Sequence, residues 1–376
     1  MFRNLKLRGN LIRAFKTAEI YRSSKRGDRT VYMYPKIHAI DDNETYTRYT
    51  FSLLNGINPK LFDDKLWAIK QVLGSNVEIN GKLKNFSITV HKKTMPKLVK
   101  YDYDDFKPEI ERMELPVVVG KSIYGKYISY DMAELETLLV SGEIGAGKSS
   151  LLRAVLTTLI KSNSPDELRL VLADLKRADL GLFHGVEHVD SLSFEAKEMI
   201  RPFTKLRAEM YRRGDLLLEH GVTHIKGLPF KLPRIVTVVD EMSIVKKERD
   251  LVELIEQIAS QGRALGVHLI IAMQRPDADL LKSALKSNLR VRISGRQADA
   301  TNAKVAGVPG AEQIDAGARG RMMIKIDDIQ AFQGVFLDEE DCKRMIAPFK
   351  KDVPIEQTAQ TEQLIESIFG EESAWQ

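Results

Sequence analysis

The chain holds a single cysteine, Cys342, among its 376 residues. That excludes an internal disulfide and fits a reducing compartment. Long apolar runs are missing as well, since none approaches the ~18–20 residues that span a bilayer. The first residues, MFRNLKLRGNLIRAFK, lack the apolar centre of a secretory signal. Internal repeats and low-complexity segments are absent. The expectation is a cytoplasmic protein, brought to the inner face of a membrane only if a partner recruits it. What the chain does hold is ordinary for a globular protein: 43% hydrophobic residues, enough to bury a full core, beside 29% charged ones. Its length allows two domains, or one large domain with an extension.

Charge is unevenly spread. Residues 1–29 carry Arg3, Lys6, Arg8, Arg13, Lys16, Arg22, Lys25, Arg26 and Arg29 against only Glu19 and Asp28. The net charge of the whole chain is +5, so the remainder is slightly acidic. A basic N-terminal arm over 1–30 suggests a polyanion or an acidic protein surface as partner. Leu5, Leu11, Ile12 and Phe15 recur at roughly helical spacing, so a solvated amphipathic helix is the alternative. An acidic tail over 349–376 closes the chain.

The richest stretch is TLLVSGEIGAGKSSLL, from Thr137 to Leu152. An apolar strand runs into Gly142, Glu143, Ile144, Gly145, Ala146, Gly147, Lys148 and Ser149, and a helical pattern follows at once. This is G-x-x-x-x-G-K-[ST], the phosphate-binding loop, in its confirming strand-to-helix context. Glycines let the backbone curl with its N–H groups inward as an anion nest, and the next helix adds its positive end. Lys148 is expected on the β- and γ-phosphates of ATP, Ser149 on Mg²⁺, and Ser150 completes the cradle.

The rest of the chain arranges itself around this loop. Residues 31–96 read as a small α+β domain, with strands in VYMYPKIHAI and RYTFSLL and a helix over 59–73. A hairpin is expected to turn at Asn80-Gly81. Residues 97–114 are polar and read as a linker. From 115 to 348 strands alternate with helices, which predicts a mostly parallel sheet covered on both faces. The expected strands include RLVLAD, RIVTVVDE, VHLIIAM and VRISG, and the expected helices cover 194–220, 248–264 and 277–288.

Several polar residues sit where such a sheet binds ligands, at the carboxyl ends of its strands. RIVTVVDE delivers Asp240 and Glu241 there. Asp240 would support Mg²⁺ and Glu241 would orient or deprotonate the attacking water, while the alternative is a helix cap. VHLIIAMQRP delivers Gln274 as a γ-phosphate sensor or as a plain strand-to-loop step. Arg263 closes the helix before that strand, either as a complement to the helix dipole or as an arginine finger for a neighbour.

Six ordered stretches carry a resemblance to the FtsK/SpoIIIE family, within the FtsK–HerA class. They are LPVVVGKSIYGKYISYDMAELETLLVSGEIGAGKSS, LVLADLKRADLGLF, RAEMYRRGDLLLEHGVTHIKGL, LPRIVTVVDE, IASQGRALGVHLIIAMQRPDADLLKSALKSNLRVRI and PGAEQIDAGARGRMM. The resemblance implies a RecA-like P-loop core and an ATP-driven, usually hexameric motor that threads DNA through a central channel. It also favours Arg263 as a finger acting on the next subunit. The family's Asp-Pro-Lys is here Asp174-Leu175-Lys176, and no membrane segments or C-terminal winged-helix module are recognised. That points to a mobile element, as a conjugative coupling protein or packaging motor working with a relaxase or membrane component. Lys282, Lys286, Arg290 and Lys304 resemble the pore-facing segment, although any one of them alone reads better as part of a solvated helix face. No basic stretch is interleaved with aromatics for stacking single strands, so duplex DNA is the expected cargo. Alternatives are a protein-secretion ATPase of the type VII kind and a nucleotide-binding ring adaptor.

Overall fold

A computed structural model describes residues 2–74, 76–92, 95–281 and 283–351. They fall into two compact units, one of residues 1–96 with 123–125 and one of the remainder.

The first unit begins with helix α1 (Phe2–Thr17) and the hairpin β1 (Arg22–Arg26) and β2 (Arg29–Met33). There follow β3 (Lys36–Asp42), β4 (Tyr46–Ser52), α2 (Leu61–Asp64), α3 (Leu66–Leu73), β5 (Val77–Lys82) and β6 (Asn85–His91). The last four strands form an antiparallel sheet in the order β3-β4-β6-β5. Along β4 the side chains alternate as strand geometry requires, so Thr47, Tyr49 and Phe51 are buried between more exposed neighbours.

Of the two readings of the N-terminal segment the helix is the one seen: α1 buries Leu11, Ala14 and Phe15 and sends its basic residues outward. Two expectations change here. VYMYPKIHAI is two strands, interrupted near Pro35, which offers no N–H to a ladder. The β5–β6 turn lies at Leu83–Lys84 instead of Asn80-Gly81. Gly81 sits within β5 opposite Phe86, where a Cβ would stand 2.5 Å from the Phe86 ring. Burial of that ring sets the register and overrides the local turn preference.

The second unit opens with β7 (Val99–Lys100) and α4 (Tyr103–Ile110), where a linker was expected. Asp102 caps α4 by accepting from the N–H groups of Asp104 and Asp105, and Phe106 and Ile110, four apart, are buried. Next come β8 (Pro116–Ser122), β9 (Tyr127–Asp131), β10 (Thr137–Ser141), α5 (Lys148–Ser162), β11 (Leu168–Asp174), β12 (Val189–Ser193), α6 (Ala196–Glu219) and β13 (Arg234–Asp240). The unit ends with α7 (Arg249–Leu265), β14 (Val267–Met273), α8 (Ser283–Asn288), β15 (Val291–Ser294), α9 (Ala300–Ala306), β16 (Arg321–Lys325), β17 (Ile329–Phe336) and α10 (Glu339–Ile346). The helix expected over 277–288 shrinks to α8, since the Asp277 carboxylate accepts from the N–H groups of Asp279 and Leu280 and holds a turn there. Of the acidic tail only residues 349–351 lie within the described residues.

One sheet organises the second unit, in the order β12-β11-β13-β14-β10-β15-β16-β17-β8-β9, with β7 beside β17. From β12 to β15 every pairing is parallel, and from β15 to β9 every pairing is antiparallel. Both faces are covered. Ile270 and Ala272 of β14 join the core under α5 and α10, whereas Leu269, Ile271 and Met273 join the core under α6 and α7. The strand before the phosphate-binding loop, β10, therefore lies deep inside the sheet, between β14 and β15.

Candidate functional site

The loop between β10 and α5 has the backbone its glycines allow. Gly142, Gly145 and Gly147 take φ of 150°, 82° and 101°. Space is the second reason for glycine: a Cβ on Gly147 would stand 3.2 Å from the Gly320 Cα, and one on Gly142 would stand 3.2 Å from the Gly295 Cα. The loop is thus flanked by the backbone after β15 and before β16. Glu143 adds two ties, its N–H to the Arg296 carbonyl at 3.1 Å and its carboxylate to the Arg296 guanidinium at 3.2 Å. Ala146 donates to the Glu143 carbonyl, and Ile144 is exposed at the tip. The curl leads straight into α5, whose first turn carries Lys148 and the half-buried Ser149. Backbone N–H groups and the positive end of a 15-residue helix thereby converge on one point, suited to phosphate.

Lys148 and Asp240 meet in a buried ion pair between the Lys148 Nζ and one Asp240 carboxylate oxygen. Burial pushes the Asp240 carboxyl up, and the Lys148 charge opposes that rise. The other Asp240 oxygen, Oδ2, is buried without a hydrogen-bond partner. An orphaned carboxylate oxygen beside a phosphate cradle fits the water shell of a divalent cation. Among the described residues no group of three acidic, histidine or cysteine side chains could hold a metal alone. This suits Mg²⁺, which is typically held by one or two protein oxygens together with substrate phosphates and water. Ser149 and Asp240 are the residues that could hold it.

Glu241 takes a different path from its neighbour. Its backbone is left-handed at φ 62°, a conformation uncommon outside glycine. The carboxylate accepts from Lys176 Nζ at 2.5 Å, Ser243 Oγ at 2.6 Å and the Gln274 N–H at 3.1 Å. Burial raises its pKa, and the bonds from Lys176 and Ser243, with the Lys176 charge and the Gln274 N–H, outweigh that effect and leave it below the ordinary value. Glu241 is held as a carboxylate. Gln274 reaches this centre through its backbone.

Other expected residues fall elsewhere. The Ser150 hydroxyl is buried and faces the sheet, donating to the Leu337 carbonyl and accepting from the Leu337 N–H at 2.7 Å. That side chain ties α5 to the end of β17, so the backbone N–H in the first turn of α5 is what Ser150 can offer the cradle. Arg263 lies at the C-terminal end of α7, just before β14 begins, and its guanidinium is half exposed, 3.8 Å from Glu134. Lys286 is tied to the Lys304 carbonyl at 2.8 Å, whereas Arg290 and Lys304 are exposed. Lys282 lies outside the described residues.

Sequence reasoning assigned no role to Lys176 or Ser243. The signals for Lys176 were its match to the lysine of the family's Asp-Pro-Lys and its place after a buried strand, parallel to the one that carries Glu241. Asp174 builds that loop. Its buried carboxylate accepts from the N–H groups of Ala178, Asp179, Leu180 and Gly181.

Residues 99–243 match the sequence model of the FtsK/SpoIIIE family. A DNA translocase FtsK of Borreliella burgdorferi is 32% identical over 256 residues, which cover 63% of this chain and 32% of that protein. One of Streptomyces coelicolor is 28% identical over 283 residues, covering 67% and 31%. The chain thus spans about a third of the length of these relatives. Among solved structures, the pCW3 conjugation coupling protein TcpA, in a monomer form with ATPγS, superposes with a TM-score of 0.58 at 24% identity. That match covers 84% of this chain and 94% of TcpA. The cytoplasmic domain of the type VII secretion ATPase EccC from Thermomonospora curvata gives 0.56 at 25%, covering 64% and 32%. The fold is that of the RecA-like P-loop ATPases, with a mostly parallel sheet.

Proposed function

Starting from the match of residues 99–243 to the FtsK/SpoIIIE family model, we propose that the protein is an ATP-hydrolysing motor that moves duplex DNA through the channel of a homo-oligomeric ring, a hexamer in its simplest form. One observation carries the hydrolytic part of this reading. The adjacent acids Asp240 and Glu241 are turned to separate partners, one to Lys148 under the phosphate cradle, the other to the loop edge where water would attack. Lys148 leaves Asp240 for the β- and γ-phosphates when ATP enters, and α5 with the loop N–H groups receives the remaining phosphate charge. Ser149 and Asp240 would hold Mg²⁺, which would supply charge neutralisation at the phosphates. Glu241 accepts the proton of the attacking water, and Gln274 reports the γ-phosphate. Arg263 acts on a neighbour's site.

The likeness to TcpA over most of both chains supports a setting in conjugation, on a mobile element with a relaxase or membrane partner. A packaging motor is the variant of that setting. No helix of the described residues is long and apolar enough to cross a membrane. The likeness to EccC favours a second reading, a protein-secretion ATPase. The acid pair weighs against a ring adaptor without hydrolysis.

ATP turnover with and without duplex DNA tests the proposal. DNA is expected to raise turnover, and a flat response would remove the DNA reading and favour secretion. Glu241→Gln is expected to bind ATP and stop turnover, and an unchanged rate refutes its role.

A further inference from the structure

Three donors already engage the Glu241 carboxylate. A carboxylate accepts about four hydrogen bonds, two on each oxygen. Here Oε2 receives Lys176 Nζ at 2.5 Å and the Gln274 N–H at 3.1 Å, while Oε1 receives Ser243 Oγ at 2.6 Å and leans on the same N–H at 3.4 Å. Both positions on Oε2 are filled, and the Gln274 N–H shared with Oε1 crowds the other side, so a water gains a full position only when a donor gives way. A residue that must accept a proton from water is therefore blocked until one donor withdraws.

The donors differ in their freedom to do so. The Gln274 N–H belongs to the chain at the end of β14, and Ser243 is two residues from Glu241 on the same turn. Lys176 is the one donor on a long flexible stem, and its side chain is 27% exposed against 7% for Glu241. Its backbone, however, is fixed. Asp174 holds the following loop through four N–H groups, and Arg177 takes a left-handed φ of 56° within it. Motion at this place thus belongs to the Lys176 side chain. A terminal phosphate brought in by the nearby loop is the anion able to draw an ammonium away from a carboxylate.

We propose that Lys176 is a positioning residue that latches Glu241 in the resting motor and releases it when the triphosphate and the DNA-engaged ring arrive. This rests on the assignment of Glu241 above and adds what keeps that group idle between cycles. It explains why a lysine stands here on a loop so firmly tied down. The loop sets the reach of the stem, and the stem moves.

Turnover by the full chain, with and without duplex DNA, tests the latch in the parent, Lys176→Met, Lys176→Arg and Glu241→Gln. Lys176→Met is expected to raise kcat without DNA several-fold, to leave KM for ATP within about twofold, and to shrink the stimulation by DNA to match. Lys176→Arg, which keeps a charge and donors, is expected to restore the low resting rate. A DNA-free kcat in Lys176→Met equal to or below the parent's overturns the latch, and so does an equal rise in Lys176→Arg. Failure of the underlying assignment looks different. Glu241→Gln then keeps the parent's turnover, or the parent turns over no ATP, and the latch falls with it.

Discussion

Ser150 and Ser149 stand side by side in one motif and do unrelated work. The Ser150 hydroxyl is buried and exchanges hydrogen bonds with the Leu337 backbone. Ser150→Ala leaves a buried N–H without an acceptor, which costs about 1–3 kcal/mol. Chemical denaturation is expected to show that loss, while titration with a fluorescent ATP analogue shows parent-like affinity; a loss of affinity at full stability would return Ser150 to the cradle. The residues that chemistry demands in a fixed order were legible, because a phosphate cradle needs glycines, lysine and serine at set spacing. Lys176 was not, since its partner lies 65 residues away and only the parallel pairing of β11 with β13 brings the two loops together. The tie made by the Ser150 hydroxyl was not legible for the converse reason: proximity in sequence put the residue beside the cradle, and helix geometry turned its side chain toward the sheet.

Among the elements, β8 shows how a strand is fitted to its neighbours. Its pairing with β9 shifts register between Val118 and Gly120, and Gly120 lies opposite Gly334 of β17. A Cβ at Gly120 would stand 2.1 Å from the Gln333 carbonyl oxygen and 2.7 Å from the Phe332 ring. Gly120→Ala is therefore expected to destabilise the protein by about 1–3 kcal/mol through overpacking, read as a lower midpoint in denaturant. A midpoint equal to the parent's would mean that β17 moves aside freely. The inner strands of the parallel half, β10, β11, β13, β14 and β15, were plain in the sequence, since strands buried on both faces read as unbroken apolar runs, whereas the half-exposed edge strand β12, VDSLS, gave no such run. Elements with charged exteriors were not. Helix α4 hides Phe106 and Ile110 among acids and lysines, and the turn between β5 and β6 follows the burial of Phe86 against a stronger local signal at Asn80-Gly81.

For the molecule as a whole, the position of Arg263 matters most. Strands β13 and β14 are parallel. Glu241 follows the carboxyl end of the first, and Arg263 precedes the amino end of the second. A seven-residue strand separates those edges by ~20 Å, too far for one chain to use both on one nucleotide. A ring that places the amino edge of one subunit against the carboxyl edge of the next removes the difficulty. Arg263→Ala is expected to lower turnover by about a thousandfold or more and to keep nucleotide affinity. Doping parent protein with Arg263→Ala subunits is expected to reduce turnover more steeply than the dose, and a merely proportional decline would place the arginine outside a shared site. The motif order made the RecA-like core legible, whereas no single chain could show what Arg263 faces.

The sheet also dictates a timetable for biosynthesis. Strands β10 to β15 come from one continuous stretch, 137–294, and need only one another to pair. The hairpin of β8 and β9 is made before them, yet its partner β17 spans residues 329–336. As the chain leaves the ribosome, the edge of β8 stays unpaired, with its buried valines at 117–119 uncovered, while some two hundred further residues are made. An uncovered apolar strand edge invites other chains. The hazard in producing this protein thus sits at residues 116–122, long before the nucleotide site exists.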